Sequence, residues 1–341
     1  MKALVFVGPG EMTVMERPDP QPGRGEVLIG VRASGICGSD VHGYLGLSGR
    51  RQPGVVMGHE AAGEVVEIGP DVTEVAIGDR VVIRSILPCG HCQPCVRGQS
   101  NVCENRRGLG MQFDGAYAER TAVPAALAVR LPDALPYERA ALVEPLAVAL
   151  HAVAITAPEP GDDVVIVGAG PIGLLTLLAI RLRGARSVAI TDRHPHRLAV
   201  ARALGADLAV DIGVSDPVEA VHAATNGRGA DVVFEAVGIS ATVAQSLAVV
   251  RTGGRVTWIG NAAPTVELPM QDMVTRELTL RGSYAFAGEF DEAIELLATG
   301  RIDVQPLIEL TASLDDAPDI FRRLGEGNLD AIKVVLVPNG R

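Results

Sequence analysis

From residue 163 to residue 281 the apolar positions come in short runs separated by stretches with a helical repeat. Runs at 164–167, 187–191, 209–211, 231–235, 255–259 and 278–281 read as strands. Between most of them, segments such as 174–182, 195–204 and 241–249 carry apolar residues at helical spacing. Six strands alternating with helices predict an α/β fold with a doubly wound parallel sheet. The earlier part of the chain is patterned differently. Short apolar runs at 3–7, 12–16, 26–33, 62–68 and 80–84 are broken by Pro/Gly turns, among them residues 18–25, which predicts a β-rich domain. Residues 86–116 read as loop. Residues 140–154 have helical period, interrupted only at Pro145, and read as a link. After Gly282 the pattern changes again, with a helix at 290–298 and a short strand at 333–337. The expected division is 1–147, 148–283, and a tail 284–341 that returns to the first domain.

The turn after the strand at 164–167 is glycine-rich: Gly168-Ala169-Gly170-Pro171-Ile172-Gly173. Each glycine has a physical use in holding a dinucleotide. Gly168 permits the tight turn, Gly170 leaves room for the pyrophosphate, and Gly173 lets the helix lie close to the strand. The free N–H groups of the helix start, where Pro171 and Ile172 lie, face the phosphates. Asp192, at the end of the next strand, would accept from the adenosine ribose and repel a 2′-phosphate, so the cofactor expected is NAD. Arg193 either pairs with a phosphate or is a solvated cation. Val237, Gly238 and Gly260 follow later strands and would offer backbone contacts at the carboxyl edge of the sheet.

Composition narrows the classes. The chain has 341 residues, 48% of them hydrophobic, and a formal net charge of -11. That is length enough for two domains, and the acidic balance argues against a nucleic-acid partner. Neither an apolar run long enough to span a bilayer nor a signal-peptide pattern is present, so no membrane partner and a cytoplasmic location are expected. Lys2 and Lys333 are the only lysines, which excludes a phosphate-loop lysine. Four of the five cysteines cluster as Cys89-x2-Cys92-x2-Cys95-x7-Cys103. Four thiolates at such spacing predict a closed, structural zinc site, with His91 surplus to it.

The remaining chemistry is scattered. Cys37-Gly38-Ser39-Asp40-Val41-His42 follows a strand, Gly58-His59-Glu60 follows a short loop, and Glu144 stands before Pro145. Taken singly, Cys37 could be a small buried residue, His59 a core histidine and Glu144 a helix start. Taken together they resemble the zinc-dependent medium-chain alcohol dehydrogenases. Gly58-His59-Glu60-x2-Gly63-x5-Gly69-x2-Val72 matches that family's signature. Gly78-Asp79-Arg80-Val81, the thiol loop, the segment Glu144–Ala152 and the glycine turn follow in the family's order. Glu144, where classical members carry a cysteine ligand, places the chain nearest the sorbitol/polyol and threonine dehydrogenase branch.

The resemblance implies a GroES-like β-rich catalytic domain beside the Rossmann sheet, and a second, catalytic zinc. Cys37, His59 and Glu144 would approach that zinc, with Glu60 either a ligand or just outside. Asp40 would hydrogen-bond the other nitrogen of His59 and fix its tautomer. Ser39 would take the substrate hydroxyl proton and pass it through the nicotinamide ribose to His42. Arg197 is similar to a family residue near the adenosine. Lys333 is similar to a basic residue near the cofactor phosphates, or else is a surface lysine. The implied reaction interconverts a secondary alcohol or polyol and its ketone. Threonine or an amino alcohol is the alternative substrate, and a protein that binds NAD and zinc without catalysis is the alternative class. A zinc-free reductase on the same fold would lack the Cys37, His59 and Glu144 set. Tyr44, Phe113 and Tyr117 either line the pocket or pack. A homo-oligomer is implied, a tetramer or else a dimer, and the edge strand near 278–282 is where a partner strand would add.

Overall fold

The computed structural model describes residues 1–340 and divides into two compact units. One holds Met1–Glu144 together with Phe290–Arg341; the other holds Pro145–Glu289.

The first unit is built on a mixed sheet. Its order is Ile308–Ala312, Lys333–Leu336, Glu26–Gly35, Glu60–Ile68, Arg80–Ile83 and Ala128–Arg130, and Arg120–Pro124 also pairs with Glu26–Gly35. The central strands Glu26–Gly35 and Glu60–Ile68 are buried on consecutive residues over most of their length, where both faces are covered. Gly35 lies opposite Glu60 in this register, and Val335 opposite Gly35. The strand Lys333–Leu336 therefore reaches the centre of the same sheet from the far end of the chain. A short helix, Gly38–Tyr44, leaves the end of Glu26–Gly35. Under it, Tyr44 and Tyr117 pack on Phe321 with ring centroids 5.8 and 5.7 Å away.

Two tail elements escape the sequence pattern. The strand Ile308–Ala312 alternates apolar and polar residues but is only five residues long. The helix Ala317–Gly325 is short and strongly amphipathic, burying Ala317, Ile320 and Phe321 while its arginines stay outside. The loop-like region also contains two small pieces, a strand pair Ile86–Leu87/Arg107–Gly108 and a helical turn Gln93–Val96.

The second unit is a six-stranded parallel sheet. Its strands are numbered here β1 (Asp163–Val167), β2 (Ser187–Asp192), β3 (Leu208–Asp211), β4 (Ala230–Glu235), β5 (Val250–Trp258) and β6 (Thr279–Gly282). They lie in the order β3-β2-β1-β4-β5-β6, the doubly wound arrangement expected from the pattern. β1 and β4 are buried at every position, as strands covered on both faces must be. β6 is the edge and is mostly exposed. The chain order reverses between β1 and β4, so a crevice opens at their carboxyl ends. The apolar helical stretch 137–156 is long enough to cross a bilayer, but most of it is buried inside the protein, as a core helix is.

Candidate metal centres and dinucleotide site

The four sulfurs of Cys89, Cys92, Cys95 and Cys103 lie within 4.8 Å of one another. A tetrahedral zinc with ~2.3 Å bonds needs sulfurs ~3.8 Å apart. The Cys92 sulfur is 3.4 Å from that of Cys95 and 3.7 Å from that of Cys103, so the set fits the ion. Backbone N–H groups of His91 and Cys92 hold the Cys89 thiol down to about 6, favouring the thiolate that binds metal. His91 turns Nδ1 to the Cys89 carbonyl, 2.8 Å away, and is no part of the set.

A second set forms inside the first unit's sheet. Cys37, at the N-terminus of the helix Gly38–Tyr44, meets His59 and Glu60 with ligand atoms within 4.8 Å of one another. His59 and Glu60 are 6% and 1% exposed. Glu144 is near enough to feel the charges of His59, Glu60 and Lys333, but lies outside that three-residue set. Its Oε1 instead accepts a hydrogen bond from Ser85 Oγ at 2.8 Å. Burial and the Glu60 charge push the Glu144 carboxyl up to about 6, against the pull of His59, Ser85 and Lys333.

The donors around this centre suit a divalent cation. Cys37, His59 and Glu60 offer a thiol, an imidazole and a carboxylate, the Glu144 carboxyl lies near, and Arg51 and Lys333 pair with Asp40 and Glu60.

Asp40 is fully buried and sits 3.4 Å from His59 Nδ1, but not in hydrogen-bond geometry. Asp40 thus faces the His59 nitrogen expected of it, at long range, while its Oδ1 accepts from Arg51 at 2.8 Å and its Oδ2 from the Tyr117 hydroxyl at 2.7 Å. Burial raises the Asp40 carboxyl, but His59, Arg51 and Tyr117 outweigh it and hold it well below the usual range. Burial likewise opposes charge on His59, while Asp40 and Cys37 favour it and win, holding the imidazole well above its ordinary value. Tyr117 is thus a buried donor as well as packing, and Tyr44 is buried against Phe321. Ser39 is exposed and His42 half-buried; three apart on one helix, they share a face.

Lys333 overturns both of its sequence readings. It is neither at the surface nor a phosphate ligand. Its Nζ is buried, 2.7 and 3.0 Å from the Glu60 oxygens and 3.1 Å from the Ile36 carbonyl. An ammonium committed to a buried carboxylate has no share in a phosphate site. The signal was available: one of two lysines stands inside the apolar run Ile332-Lys333-Val334-Val335. Arg51 and Ser85, also missed, carry no such signal, because their partners are remote in sequence.

In the second unit, Gly168 has φ +102°, which favours glycine, and a Cβ on Gly173 would fall 1.8 Å from the Gly168 carbonyl. A Cβ on Gly170 would meet nothing in the protein, so the space beside it is open to a ligand. Pro171 and Ile172 begin the helix Pro171–Arg181. Asp192 ends β2, and its Oδ2 accepts from the Ala169 N–H of the glycine turn at 2.7 Å. Arg193 is exposed, with Nε 3.1 Å from His194 Nε2, and Arg197 lies half-buried on the helix Pro195–Ala203. Val237 and Gly238 follow β4 and donate their N–H groups to Glu235 Oε1 at 2.9 and 2.7 Å.

Comparison with known proteins agrees with this chemistry. The family described as alcohol dehydrogenase GroES-like domain matches residues 23–133, and that described as zinc-binding dehydrogenase matches 171–299. A sorbitol dehydrogenase of Bacillus subtilis (strain 168) is 35% identical over 346 aligned residues, 99% of this chain and 98% of that protein. An L-threonine 3-dehydrogenase of Chelativorans sp. (strain BNC1) is 36% identical, covering 98% of each chain. A zinc-binding dehydrogenase of Sinorhizobium meliloti 1021, solved bound to NADP, superposes with a TM-score of 0.92 at 35% identity, covering 99% of each chain.

Proposed function

The chain belongs to the zinc-dependent medium-chain alcohol dehydrogenase family, and from that membership we propose that it interconverts a secondary alcohol or polyol and its ketone, with NAD as hydride partner. The observation that carries this reading is the convergence of Cys37, His59 and Glu60 within 4.8 Å of one another. When bound, zinc supplies Lewis acidity at the alcohol oxygen and NAD accepts the hydride. Cys37, His59 and Glu60 hold the ion, and Glu144 adds a carboxylate close by. Asp40, anchored by Arg51 and Tyr117, sets a fixed negative charge behind His59. Ser39, exposed on its helix, takes the substrate's hydroxyl proton, and His42 on the same face passes it to solvent. Gly168, Gly170 and Gly173 with the helix start at Pro171 and Ile172 cradle the pyrophosphate, Asp192 receives the adenosine ribose, and Arg197 lies alongside.

Asp192 supports NAD, because its carboxylate repels a 2′-phosphate. NADP in the Sinorhizobium meliloti relative makes Arg193 the residue to watch, since it is exposed one position later. A threonine or amino-alcohol substrate is the second reading, favoured by the 36% identity to an L-threonine 3-dehydrogenase. The exposed edge strand β6 supports a homo-oligomer, a tetramer or dimer, joined by strand addition. A monomeric mass by light scattering would contradict that.

The test is a panel of polyols, diols, amino alcohols and threonine followed by NADH absorbance, on protein whose zinc has been measured. Turnover of a polyol with NAD, abolished by a chelator and restored by zinc, is expected. Zinc-replete protein inert toward the whole panel with both cofactors would sink the enzyme reading.

A further inference from the structure

Glu235 ends β4, beside β1 at the point where the sheet order reverses. Ligands of such sheets lie in the crevice at these carboxyl ends. Asp192, on β2, draws the adenosine to one side of that crevice, which leaves the β4–β5 side for the nicotinamide. Two loops rise there, residues 236–239 after β4 and 259–263 after β5. Glu235 holds both. Its side-chain Oε1 accepts from the N–H groups of Val237 and Gly238 at 2.9 and 2.7 Å. Its backbone carbonyl accepts from Ile259 and Gly260 at 2.8 and 3.0 Å.

The loops are pressed backbone to backbone. A Cβ on Gly238 would lie 2.4 Å from the Gly260 carbonyl carbon, and one on Gly260 would lie 2.2 Å from the Gly238 nitrogen. The Ala263 N–H donates to the Gly238 carbonyl at 2.7 Å, and the Ala236 N–H to Val167 of β1 at 2.9 Å. Such a junction tolerates little movement, and its register depends on what holds the two turns.

Glu235 is also costly to keep. It is fully buried, and among the described residues its Oε2 has no hydrogen-bond partner. A buried carboxylate oxygen without a donor destabilises a fold, and an apolar residue of similar size would avoid that loss. What the carboxylate supplies is a charge-strengthened grip on two adjacent N–H groups, which a neutral side chain makes more weakly.

We infer that Glu235 is a positioning residue for the nicotinamide half of the dinucleotide, fixing the two loops whose backbone meets it. This rests on the dinucleotide reading above. The residue touches no reacting atom; it sets where the loop N–H and carbonyl groups stand.

The experiment compares NADH with ADP-ribose, which lacks the nicotinamide, by titration calorimetry on the full-length protein. Glu235→Ala removes the side-chain grip, and the isosteric Glu235→Gln keeps an acceptor without the charge. Glu235→Ala is expected to weaken NADH by about tenfold or more, the scale of two lost hydrogen bonds, while ADP-ribose changes by less than about twofold. Glu235→Gln is expected to fold and to fall between the two. NADH affinity unchanged in both variants overturns the inference alone. So does an equal loss for both ligands, which marks general damage. If the unaltered protein binds neither ligand, the dinucleotide reading fails first and this one with it. Should Glu235→Ala not fold, the same comparison is read from Glu235→Gln, where a selective loss for NADH supports the inference and none overturns it.

Discussion

The thiol loop at 89–103 and the cluster around Cys37 both bring metal-binding atoms within 4.8 Å of one another, but by different means. The loop takes four identical ligands from fifteen consecutive residues. Its sulfurs contact one another and local backbone N–H groups. The other centre takes a thiol from a helix start and an imidazole and a carboxylate from the head of one strand, then surrounds them with charged partners. Lys333 reaches Glu60 across 273 residues of chain, and Ser85 reaches Glu144 across 59. A site that only closes on an ion can be local. One that must also leave room for a substrate needs its ligands held from behind, because the ion alone does not fix them.

The contrast breaks most sharply at Lys333. Lys333→Met leaves Glu60 charged, buried and unpaired. For the chelated protein this is expected to cost about 3–5 kcal/mol in urea unfolding. With zinc saturating, the loss should be clearly smaller, because the ion then neutralises Glu60. An equal loss with and without zinc would show that the ammonium does not serve the metal centre, and the two sites would differ less than described.

Ser39→Ala and Cys103→Ser sharpen the same contrast from its two sides. Removing the Ser39 hydroxyl is expected to lower kcat by about 100-fold, the lower end for a lost proton-transfer group, with zinc content unchanged. Cys103→Ser is expected to halve the zinc content and lower the melting temperature, while the molecules that remain folded keep their kcat. Parallel effects in the two variants would mean the sites are not separate in role.

What the sequence disclosed follows the same division. The glycine turn, the six-strand alternation and the thiol loop are local patterns with local causes, and each stands where the pattern placed it. The GHE signature likewise located His59 and Glu60. The partners of those residues were not legible. Arg51 and Tyr117 also donate to Asp40, two partners besides the expected His59. That outcome depends on tertiary placement of residues 11 and 77 positions away. Lys333 was misread because a family role was carried to it without weighing its apolar neighbours. The strand Ile308–Ala312 alternates fully, so its signal was present, but over five residues only.

The smallest expected effect lies at Ser85, whose hydroxyl holds Glu144 at 2.8 Å. The serine is itself fixed, since its carbonyl accepts from the Leu109 N–H at 2.9 Å and the neighbouring Arg84 N–H donates to Leu127 at 2.8 Å. Ser85→Ala removes a neutral donor from a buried carboxylate, a loss of about 1 kcal/mol, well below that at Lys333 because no charge is orphaned. Its more telling signature is in the ligand field. With cobalt in place of zinc, the visible bands of the Cys37 centre should shift in Ser85→Ala and return in Ser85→Thr, while any bands from the thiol loop stay fixed. A carboxylate held by a hydroxyl from a remote segment then responds to that segment, and a loop that holds its own ligands does not. Unshifted bands in Ser85→Ala would place Glu144 outside the ion's surroundings and leave Glu60 as the centre's working carboxylate.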